Sequence, residues 1–465
     1  MVFWRARGMA RGQVGRETSF TWEFGVPHRD STLDTFKGPI HDFDGDGYDD
    51  VVAKVYFGVR VYWGGEDALT ERRFSEFRVN YVGQASSNTR LIVSDVNSDG
   101  LSDVLVVGHG FQPGTLVQYG AVRVFYGDRS RNLVDPGEAH LVGHISAVVD
   151  VNGDGFVDLM GDGPLDYTGS SRQIGLTLYG GPQWAGYTRG LTEDPATEEV
   201  SAGFGFAGSS GDVDGDGYGD VYIGNNRFNE WRGRLYYYPG GERGLSRAPA
   251  RFFDPPPNIE FRAEWGSPYG IGDANGDRLA DLMVLSEDIQ QVLLLGARAP
   301  GEITMTVMRS TYPTSHVGSA TGPAVDFDGN GVMDLFLGCS VCLDRNHPLV
   351  TMGRIVVVTN VGRSQPTLLR EFAPSPPDGA GRPDGFGQPV LGIDPNGDGY
   401  DDMISMDPER TSLPNFPARG YLSIDFGGPD FGARRQQVFG VDLQKGTPFG
   451  DVASCGLRLF VRVGV

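Results

Sequence analysis

Carboxylate and amide side chains recur at fixed spacing in seven nine-residue segments of this chain. Each segment follows the pattern Asp-x-Asp-x-Asp-Gly-x-x-Asp, with Asn replacing Asp at some inner positions. The segments, called loops 1 to 7 in chain order, begin at Asp42, Asp95, Asp150, Asp212, Asp273, Asp326 and Asp394. Successive starts lie 53 to 68 residues apart, so the pattern indicates an internal repeat rather than an isolated motif.

Alternate side chains of such a loop point toward one centre when the backbone coils tightly, and Gly at position 6 permits that turn. An oxygen-only ligand set favours calcium, which takes about six to eight oxygens, over magnesium, which needs a tighter octahedron. The predicted ligands are the side chains at positions 1, 3, 5 and 9 and the carbonyl of position 7: Asp42, Asp44, Asp46, Tyr48 and Asp50; Asp95, Asn97, Asp99, Leu101 and Asp103; Asp150, Asn152, Asp154, Phe156 and Asp158; Asp212, Asp214, Asp216, Tyr218 and Asp220; Asp273, Asn275, Asp277, Leu279 and Asp281; Asp326, Asp328, Asn330, Val332 and Asp334; Asp394, Asn396, Asp398, Tyr400 and Asp402.

Position 7 is apolar in all seven loops. We expect its side chain to anchor the loop on a core while its carbonyl faces the ion.

An EF-hand also opens with Asp-x-Asp-x-Asp-Gly, but it closes with Glu at position 12 and continues as a helix. Here an Asp closes the loop at position 9, and strand-like runs such as VVAKVYFG, VYIG and LFLG follow. The sequence therefore predicts a metal loop that joins two β-strands. Acidic hairpin turns without metal are the alternative for any single copy, because Asp, Asn and Gly are common turn residues.

Loop 5 departs from the pattern, because Arg278 occupies the Gly position. A residue with a Cβ in a left-handed conformation costs about 1 kcal/mol or more, and the arginine adds a cation beside the ion. We expect the loop at Asp273 to be the weakest site.

The formal net charge is −21, and Asp residues at positions 1, 3, 5 and 9 of the loops supply 23 of the 60 acidic residues. The acidity of the chain is thus attributed mainly to the predicted cation ligands. Nucleic-acid binding has no support, because the chain has no basic stripe and no aromatic RNA-binding motif. No apolar run is long enough for a transmembrane helix.

Between loops the same order of segments returns, with a strand, a turn, a second aromatic-rich strand and a polar segment. Copies of the second strand read VRVYWGG, VRVFYGD, LTLYGG, RLYYYPGG and QVLLLG. Gly 70 and Pro 29 of 465 residues fit a turn-dense β protein. Repeats of this length with four antiparallel strands predict an all-β fold, a β-propeller.

These units resemble the FG-GAP repeats of the integrin α-subunit β-propeller and of related bacterial proteins. The FG residues are Phe204 with Gly205 and Phe386 with Gly387, each pair starting eight residues before the first Asp of a loop. The resemblance implies calcium in the hairpin loop between the first and second strands of a blade, at positions 1, 3, 5, 7 and 9 of each copy. Several repeats lack a clean FG, and Arg278 breaks one loop.

Seven loops predict seven blades, with eight as the alternative. Residues 1–16 are expected to be a disordered N-terminal segment, and residues 17–465 a single propeller domain. Phe449 and Gly450 begin the C-terminal stretch like another repeat, but Leu457 stands where an Asp is due. Residues 446–465 are thus either a truncated extra repeat or a ring-closing segment that pairs near residues 19–24.

The three cysteines include a CxxC pair, Cys339 and Cys342, with His347 nearby. Zinc is disfavoured because it needs four ligands and only three are in view. A local disulfide is expected if the protein is exported and two free thiols if it is not. The basic N-terminus lacks an apolar signal-peptide core, so either export is absent or the start lies upstream.

Recurrence argues against a catalytic site, which needs unlike residues converging once. The main hypothesis is a calcium-stabilised propeller for adhesion or recognition of a protein or glycan ligand, extracellular or at the cell surface. Weak calcium loops of extracellular modules suit such surroundings. Sugar stacking is a secondary role for Trp63, Trp184, Trp231 and Trp265 beside ordinary packing. The alternative is a calcium-dependent polysaccharide lyase or another carbohydrate-active enzyme, for which His109 and His144 are the candidates.

Overall fold

Antiparallel β-strands dominate the computed structural model of the chain. It describes residues 2–4, 7–10, 13–18, 22–24, 41–55, 58–70, 72–78, 90–111, 118–135, 139–141, 144–164, 173–178, 180, 204–225, 227–256, 268–285, 290–309, 320–321, 324–343, 351–361, 367–372, 390–409, 419–430, 434–439 and 450–452. Within these ranges the helical segments are Phe228–Trp231 and a 3₁₀ turn at Pro300–Glu302.

The strands of the repeats form seven antiparallel sheets, numbered 1 to 7 in the order of the loops. Sheet 1 holds Val51–Val55, Gly58–Tyr62 and Phe74–Arg78; sheet 2 holds Arg90–Ser94, Asp103–Phe111, Gln118–Phe125 and Ala139–Leu141; sheet 3 holds His144–Val149, Asp158–Pro164 and Gln173–Leu178; sheet 4 holds Phe204–Gly211, Asp220–Asn225, Arg234–Tyr238 and Arg251–Phe253; sheet 5 holds Pro268–Gly272, Asp281–Leu285, Gln290–Leu295 and Thr304–Arg309; sheet 6 holds Ala320–Thr321, Asp334–Leu343, Thr351–Thr359 and Thr367–Phe372; sheet 7 holds Val390–Ile393, Asp402–Glu409, Arg419–Asp425 and Arg435–Phe439.

Sheet 1 receives its remaining strand from the other end of the sequence. Gly450–Val452 pairs antiparallel with Val51–Val55, so that Gly450 lies opposite Lys54. The described part of the C-terminal stretch therefore pairs with the strand that follows loop 1. Trp22–Phe24 pairs with Val2–Trp4.

Inner strands are buried on both faces, which explains their continuous apolar runs. All of Asp220–Asn225 is buried, because Tyr222 packs toward sheet 5 while Val221 and Ile223 pack toward sheet 3. The outer strand Phe74–Arg78 alternates between exposed and half-buried residues. A strand period of two thus distributes side chains between two neighbouring cores.

Each pair of consecutive sheets shares one apolar core. The last sheet also packs on the first, since Ile404 and Leu422 lie in one cluster with Val51 and Tyr62. Antiparallel sheets of about four strands that pack face to face in this cyclic order have the architecture of a β-propeller.

The described residues near the N-terminus form short antiparallel pairs. Besides the Val2–Trp4 pairing, Arg7–Ala10 forms an antiparallel pair with Gln13–Thr18. Such pairing satisfies backbone groups that a disordered segment leaves to water. Among the described residues, no helix has the length and apolar character needed to cross a membrane.

Candidate functional site: seven acidic loops

Each acidic loop occupies the same place in its sheet. Loops 2 to 7 connect the first strand to the second; in sheet 4, for example, loop 4 joins Phe204–Gly211 to Asp220–Asn225. Loop 1 leads into Val51–Val55, whose first-strand partner is Gly450–Val452. All seven loops therefore lie in equivalent connections.

The first Asp of a loop organises the turn from within. In loop 4, Asp212 Oδ1 accepts the N–H groups of Gly215 at 2.6 Å and Asp216 at 3.1 Å, and Oδ2 accepts that of Gly217 at 3.0 Å. Asp216 Oδ1 in turn accepts the N–H of Tyr218 at 2.9 Å. The same bonds recur in other loops, so the alternate side chains point inward as the sequence predicts.

The closing Asp fixes the bottom of the loop. Asp220 is buried; its Oδ2 accepts the N–H of Val213 at 2.8 Å, and its Oδ1 accepts that of Gly240 at 2.8 Å. In loop 7 the position-2 residue is Pro395, which has no N–H, and the side-chain amide of Asn396 contacts Asp402 Oδ2 at 3.3 Å instead.

A recurring Gly belongs to the site, although sequence reasoning did not connect it with the loops. In six sheets this Gly follows the third strand within two residues of the strand end. Its N–H donates to Oδ1 of the closing Asp. A Cβ on Gly240 would overlap the carbonyl oxygen of Gly219 in loop 4. The signal was present in the repeated YWGG, FYGD and YPGG strings. The six residues are Gly64, Gly127, Gly180, Gly240, Gly296 and Gly427.

Loop 6 is the exception. Asn360, with φ of 59°, follows its third strand in place of Gly. The buried Oδ1 of Asp334 accepts no hydrogen bond from the described residues. This oxygen is therefore the least satisfied of the closing carboxylates.

Three loops bring carboxylates from positions 1, 3 and 9 together. In each, one oxygen from every residue lies within 4.8 Å of the others. Oxygens on opposite sides of one ion with metal–oxygen distances of about 2.3–2.6 Å are about 5 Å apart, so the spacing fits a calcium-sized cation. The clusters are Asp42, Asp44 and Asp50; Asp212, Asp214 and Asp220; and Asp326, Asp328 and Asp334.

The other four loops have Asn at position 3. Their amide Nδ2 groups donate to the position-5 Asp, as in Asn152 to Asp154 at 3.0 Å. The amide oxygen still lies inside the turn, where Asn152 Oδ1 accepts the N–H of Asp154 at 3.0 Å. These loops keep an oxygen ligand at position 3 with one negative charge fewer.

Burial raises the pKa of the closing carboxylates. Desolvation is the main cause, and nearby Asp residues add to it, while the two backbone donors act in the opposite direction. The pKa of Asp50 is raised to about 9, that of Asp103 to about 8 and that of Asp402 to about 8. Without a cation, the loops hold negative charge at a free-energy cost.

These shifts predict how the cation-free protein responds to pH. Asp50, Asp103 and Asp402 have folded pKa values of about 8 or 9, whereas unfolded Asp titrates near 3.9. The folded state therefore binds more protons in between, and its stability falls as pH rises from about 4 to about 9. We expect the melting temperature in chelator to decrease between pH 5.5 and 8.5. A rise over that interval would contradict the assignment.

Neighbouring loops are joined by backbone hydrogen bonds. The N–H of position 8 donates to the carbonyl of position 1 of the preceding loop in four loop pairs, such as Gly219 to Asp150 at 2.8 Å. Between loops 1 and 7 the link is reciprocal. The N–H of Asp49 donates to Asp394 O at 3.1 Å, and the N–H of Asp394 donates to Asp49 Oδ2 at 2.9 Å.

The side chain at position 7 does not anchor every loop on a core. Leu101 and Leu279 are buried, but the other five are only half-buried. Where the packing is visible, the side chain covers the Gly at position 4 of the preceding loop, since a Cβ on Gly397 would lie 2.7 Å from the ring of Tyr48. The prediction of a core anchor is thus wrong for Tyr48 and Tyr400, because close packing of adjacent turns takes their rings to the neighbouring loop.

Comparison with known proteins finds a match to a repeat family and similarity to integrin α chains. Residues 204–238 match the FG-GAP repeat family. The chain therefore contains an FG-GAP repeat. It is similar to integrin alpha-8 of Gallus gallus, with 27% identity over 207 residues, which cover 39% of this chain and 19% of that one. It is also similar to integrin alpha pat-2 of Caenorhabditis briggsae, with 25% identity over 262 residues, which cover 48% and 20%.

The matched region thus spans about a fifth of the length of these integrin chains. Among solved structures, the periplasmic gluconolactonase of Pseudomonas aeruginosa aligns over 88% of this chain and 99% of its own, with 13% identity and a TM-score of 0.48.

The matched FG-GAP repeat begins at Phe204, which is fully buried. Its ring packs edge-on against Tyr236 and Tyr238, with centroids 5.6 and 6.4 Å away. The Phe of the motif is therefore a core residue that holds the first strand of the repeat on the third. Phe386 and Gly387 lie outside the described residues.

The fifth acidic loop carries the predicted defect. Arg278 has φ of 70°, whereas Gly at the equivalent place in the other loops has φ of 80–92°. Its N–H still donates to Asp273 Oδ2 at 2.7 Å, so the loop keeps its shape. The conformational strain is therefore confined to the backbone of Arg278.

We expect Arg278→Gly to stabilise the protein by about 1 kcal/mol, because it relieves the left-handed strain. That corresponds to a rise in melting temperature of about 2 °C, measured by calorimetry in chelator. Gly217→Arg, the reverse change in loop 4, is the matched control and should lower it. If Arg278→Gly did not raise the melting temperature, the assignment of backbone strain to Arg278 would be wrong.

The other candidate residues are placed as follows. Trp63 is buried and donates Nε1–H to Ser75 Oγ at 3.1 Å, so it is a packing residue. Trp231 is 52% exposed. Trp184, Trp265, His347 and Cys455 lie outside the described residues. His109 and His144 lie on strands of sheets 2 and 3, and Cys339 and Cys342 flank an irregularity in strand Asp334–Leu343.

Proposed function

We propose that this FG-GAP repeat protein is a seven-bladed β-propeller whose loops bind calcium, and that it serves as an adhesion or ligand-recognition module outside the cell or at its surface. The observation that carries the proposal is the linkage of equivalent acidic loops around a closed set of sheets. Loops 7 and 1, which are 345 residues apart, are hydrogen-bonded directly.

Seven blades agree with one acidic loop for each sheet and with the packing of sheet 7 on sheet 1. Residues 17–465 form one domain in this proposal, and the C-terminal stretch closes it by adding Gly450–Val452 to sheet 1.

Calcium is supported by the donor set. In loops 1, 4 and 6 carboxylate oxygens converge, and their spacing of up to 4.8 Å suits the longer bonds of calcium. Positions 1, 3, 5 and 9 would hold the ion with the position-7 carbonyl. Loop 5, at Asp273, is proposed as the weakest site because of Arg278.

Loop 1 is paired with an arginine side chain that would compete with calcium for its carboxylates. Arg131, in a turn of sheet 2, places Nε 2.6 Å from Asp44 Oδ2 and a terminal nitrogen 2.8 Å from Asp46 Oδ2. Loop 4 also has four carboxylates, but its extra partner is neutral: Tyr237 Oη lies 3.2 Å from Asp214 Oδ2. The guanidinium neutralises carboxylates that would otherwise attract the ion.

We expect Arg131→Ala to tighten calcium binding at loop 1 by roughly five- to tenfold, about 1 kcal/mol, because it removes a cation whose repulsion is partly screened by solvent. The affinity is measured by calorimetric titration. Arg243→Ala, which removes an exposed arginine from the corresponding turn of sheet 4, should have little effect. Equal affinities in all three proteins would contradict this role.

Ligand recognition is proposed from the repeated, non-catalytic character of the loops and from the similarity to integrin α chains. The protein is screened against glycan and extracellular-protein arrays in calcium and in chelator. A ligand that binds in calcium and is lost on chelation supports the module. Binding to nothing, or binding that ignores chelation, contradicts it.

Enzymatic activity stays a prediction from sequence alone. The lyase alternative requires release of unsaturated products from a polysaccharide, which the ultraviolet absorbance of a digest detects. Such products would replace the recognition module by an enzyme.

A further inference from the structure

Sheet 4 carries an exposed aromatic and arginine surface that the acidic loops do not use. This Trp231 patch consists of Arg227, Phe228, Trp231, Arg232, Arg234 and Phe252. Strand Asp220–Asn225 begins at loop 4, and the turn that bears Trp231 follows its other end. Six strand residues separate the two by about 20 Å, so the patch is distinct from the cation site.

The backbone of this turn is strained. Asn229, Glu230 and Trp231 have φ of 47°, 59° and 70°, three consecutive left-handed residues that are not Gly. Such a conformation costs about 1–2 kcal/mol for each residue with a Cβ, although Asn tolerates it better. Strain of this size persists where the surrounding structure enforces it, and it is concentrated at functional sites.

The turn is also held in place. The Arg227 N–H donates to Asn225 Oδ1 at 3.0 Å, and the Gly233 N–H donates to Phe228 O at 3.0 Å. The Arg227 guanidinium lies 5.1 Å from the centre of the Trp231 ring. An indole that is 52% exposed is therefore presented in a fixed orientation. Preorganisation of this kind reduces the entropy lost on binding.

A second aromatic platform adjoins the first. The Arg234 guanidinium lies 4.0 Å from the ring centres of both Phe228 and Phe252, and Asp254 pairs with it through two bonds of 2.7 and 2.8 Å. Phe252 is 53% exposed. Arg234 is therefore committed to structure, and its charge is neutralised.

The charges of Arg227 and Arg232 are available. Both side chains are exposed, and neither forms an ion pair within the part of the chain that the structure describes. In a chain of net charge −21 they outnumber the exposed Glu230 of the same turn and form a locally cationic surface around two exposed rings. A partner that fits offers a flat apolar face for the indole and a carboxylate for a guanidinium.

We propose that the Trp231 patch binds a uronic-acid-containing glycan, whose pyranose ring stacks on Trp231 and whose carboxylates pair with Arg227 and Arg232. A protein interface of standard size needs about 20–30 residues on each side, whereas this patch offers six. A surface of six residues matches the area that a short oligosaccharide covers. The assignment rests on the proposed function as a recognition module and names its ligand class.

The test uses the full chain in excess calcium, with hexasaccharides of hyaluronan and of mannuronate as probes and a neutral chitin hexasaccharide as control. Calorimetry should show that at least one anionic probe binds at least tenfold more tightly than chitin, and that added salt weakens it. Trp231→Ala should reduce that affinity at least tenfold, and Arg227→Ala with Arg232→Ala should remove the preference for the anionic probe.

Phe74→Ala is the matched control. Phe74 is 38% exposed and stacks with Arg60, 4.0 Å from the ring centre, but Arg60 is buried and paired with Glu76. This variant should bind like the wild type. A melting curve for each variant confirms folding.

Absence of binding to both anionic probes, or binding that Trp231→Ala leaves unchanged, overturns the assignment. A third outcome also overturns the assignment, in favour of a protein ligand. In that case the protein binds a poly-glutamate peptide but neither glycan, and Trp231→Ala weakens the binding of the peptide. If the melting temperature rises in calcium while no glycan binds, only this assignment fails. If calcium has no effect, the proposed calcium-stabilised module fails.

Discussion

Chelating calcium is expected to lower the melting temperature of this protein by about 10 °C or more. An ion present at 100 times its dissociation constant stabilises the folded state by about 2.7 kcal/mol for each site. Three filled sites would contribute about 8 kcal/mol, and about 1 kcal/mol moves the melting temperature by about 2–4 °C in a domain of this class.

The structural reason is the charge that the folded chain concentrates in its loops. Asp212, Asp214 and Asp220 place carboxylate oxygens within 4.8 Å of one another, and burial and neighbouring carboxylates raise the pKa of Asp216 to about 6. Repulsion at linked loops destabilises every sheet junction when the cations are removed.

Differential scanning calorimetry in 2 mM calcium, in chelator and in magnesium measures the effect. Magnesium should restore little of the loss, because the loops do not provide its tighter octahedral geometry. Coincident melting curves in calcium and in chelator would exclude a structural role for the ions.

The second large effect is expected for Asp220→Ala. This carboxylate is buried and accepts the N–H groups of Val213 and Gly240, each at 2.8 Å. Its removal leaves two buried donors without acceptors, at about 1–3 kcal/mol each, and abolishes one ion site. We expect a loss of about 3–6 kcal/mol, or about 10 °C in melting temperature.

Asp220→Asn separates the two roles of the residue. The amide oxygen keeps one acceptor and nearly the same volume, but it provides no negative charge for the ion. In chelator Asp220→Asn should therefore lose about half as much melting temperature as Asp220→Ala, because only one of the two backbone donors loses its acceptor, while in calcium it should gain less than the wild type. If Asp220→Ala matched the wild type in both conditions, the closing Asp would have no structural role.

The sequence predicted the geometry of the acidic turns because that geometry is encoded locally. Alternation at positions 1, 3 and 5 and closure at position 9 depend only on a tight turn, and Asp212 bonds three N–H groups within five residues. Arg278 could be recognised as strained for the same reason, since the left-handed requirement of position 6 is a local property.

Contacts between repeats could not be predicted in this way. Nothing near Asp49 indicates that its carboxylate accepts the N–H of Asp394, and nothing near Arg131 indicates a bond to Asp44. The strand Gly450–Val452 looked like the start of another repeat, and only its pairing with Val51–Val55 shows where it belongs. Such features depend on how the sheets pack, which a single repeat does not contain.

The packing of Tyr48 illustrates the limit. Its apolar character predicted a core anchor, but the ring covers Gly397 of the preceding loop. The small residue that admits the ring lies in loop 7, nearly the whole chain away from Tyr48. A pattern within one repeat therefore gives the residue type and not its partner.

The most direct test of the calcium loops is their stoichiometry. Metal analysis of the purified protein after dialysis against 2 mM calcium is expected to find six to seven equivalents, with the missing one at loop 5. Titration of Arg278→Gly should restore that equivalent. Fewer than two equivalents of calcium would contradict the account of equivalent metal loops around the ring of sheets.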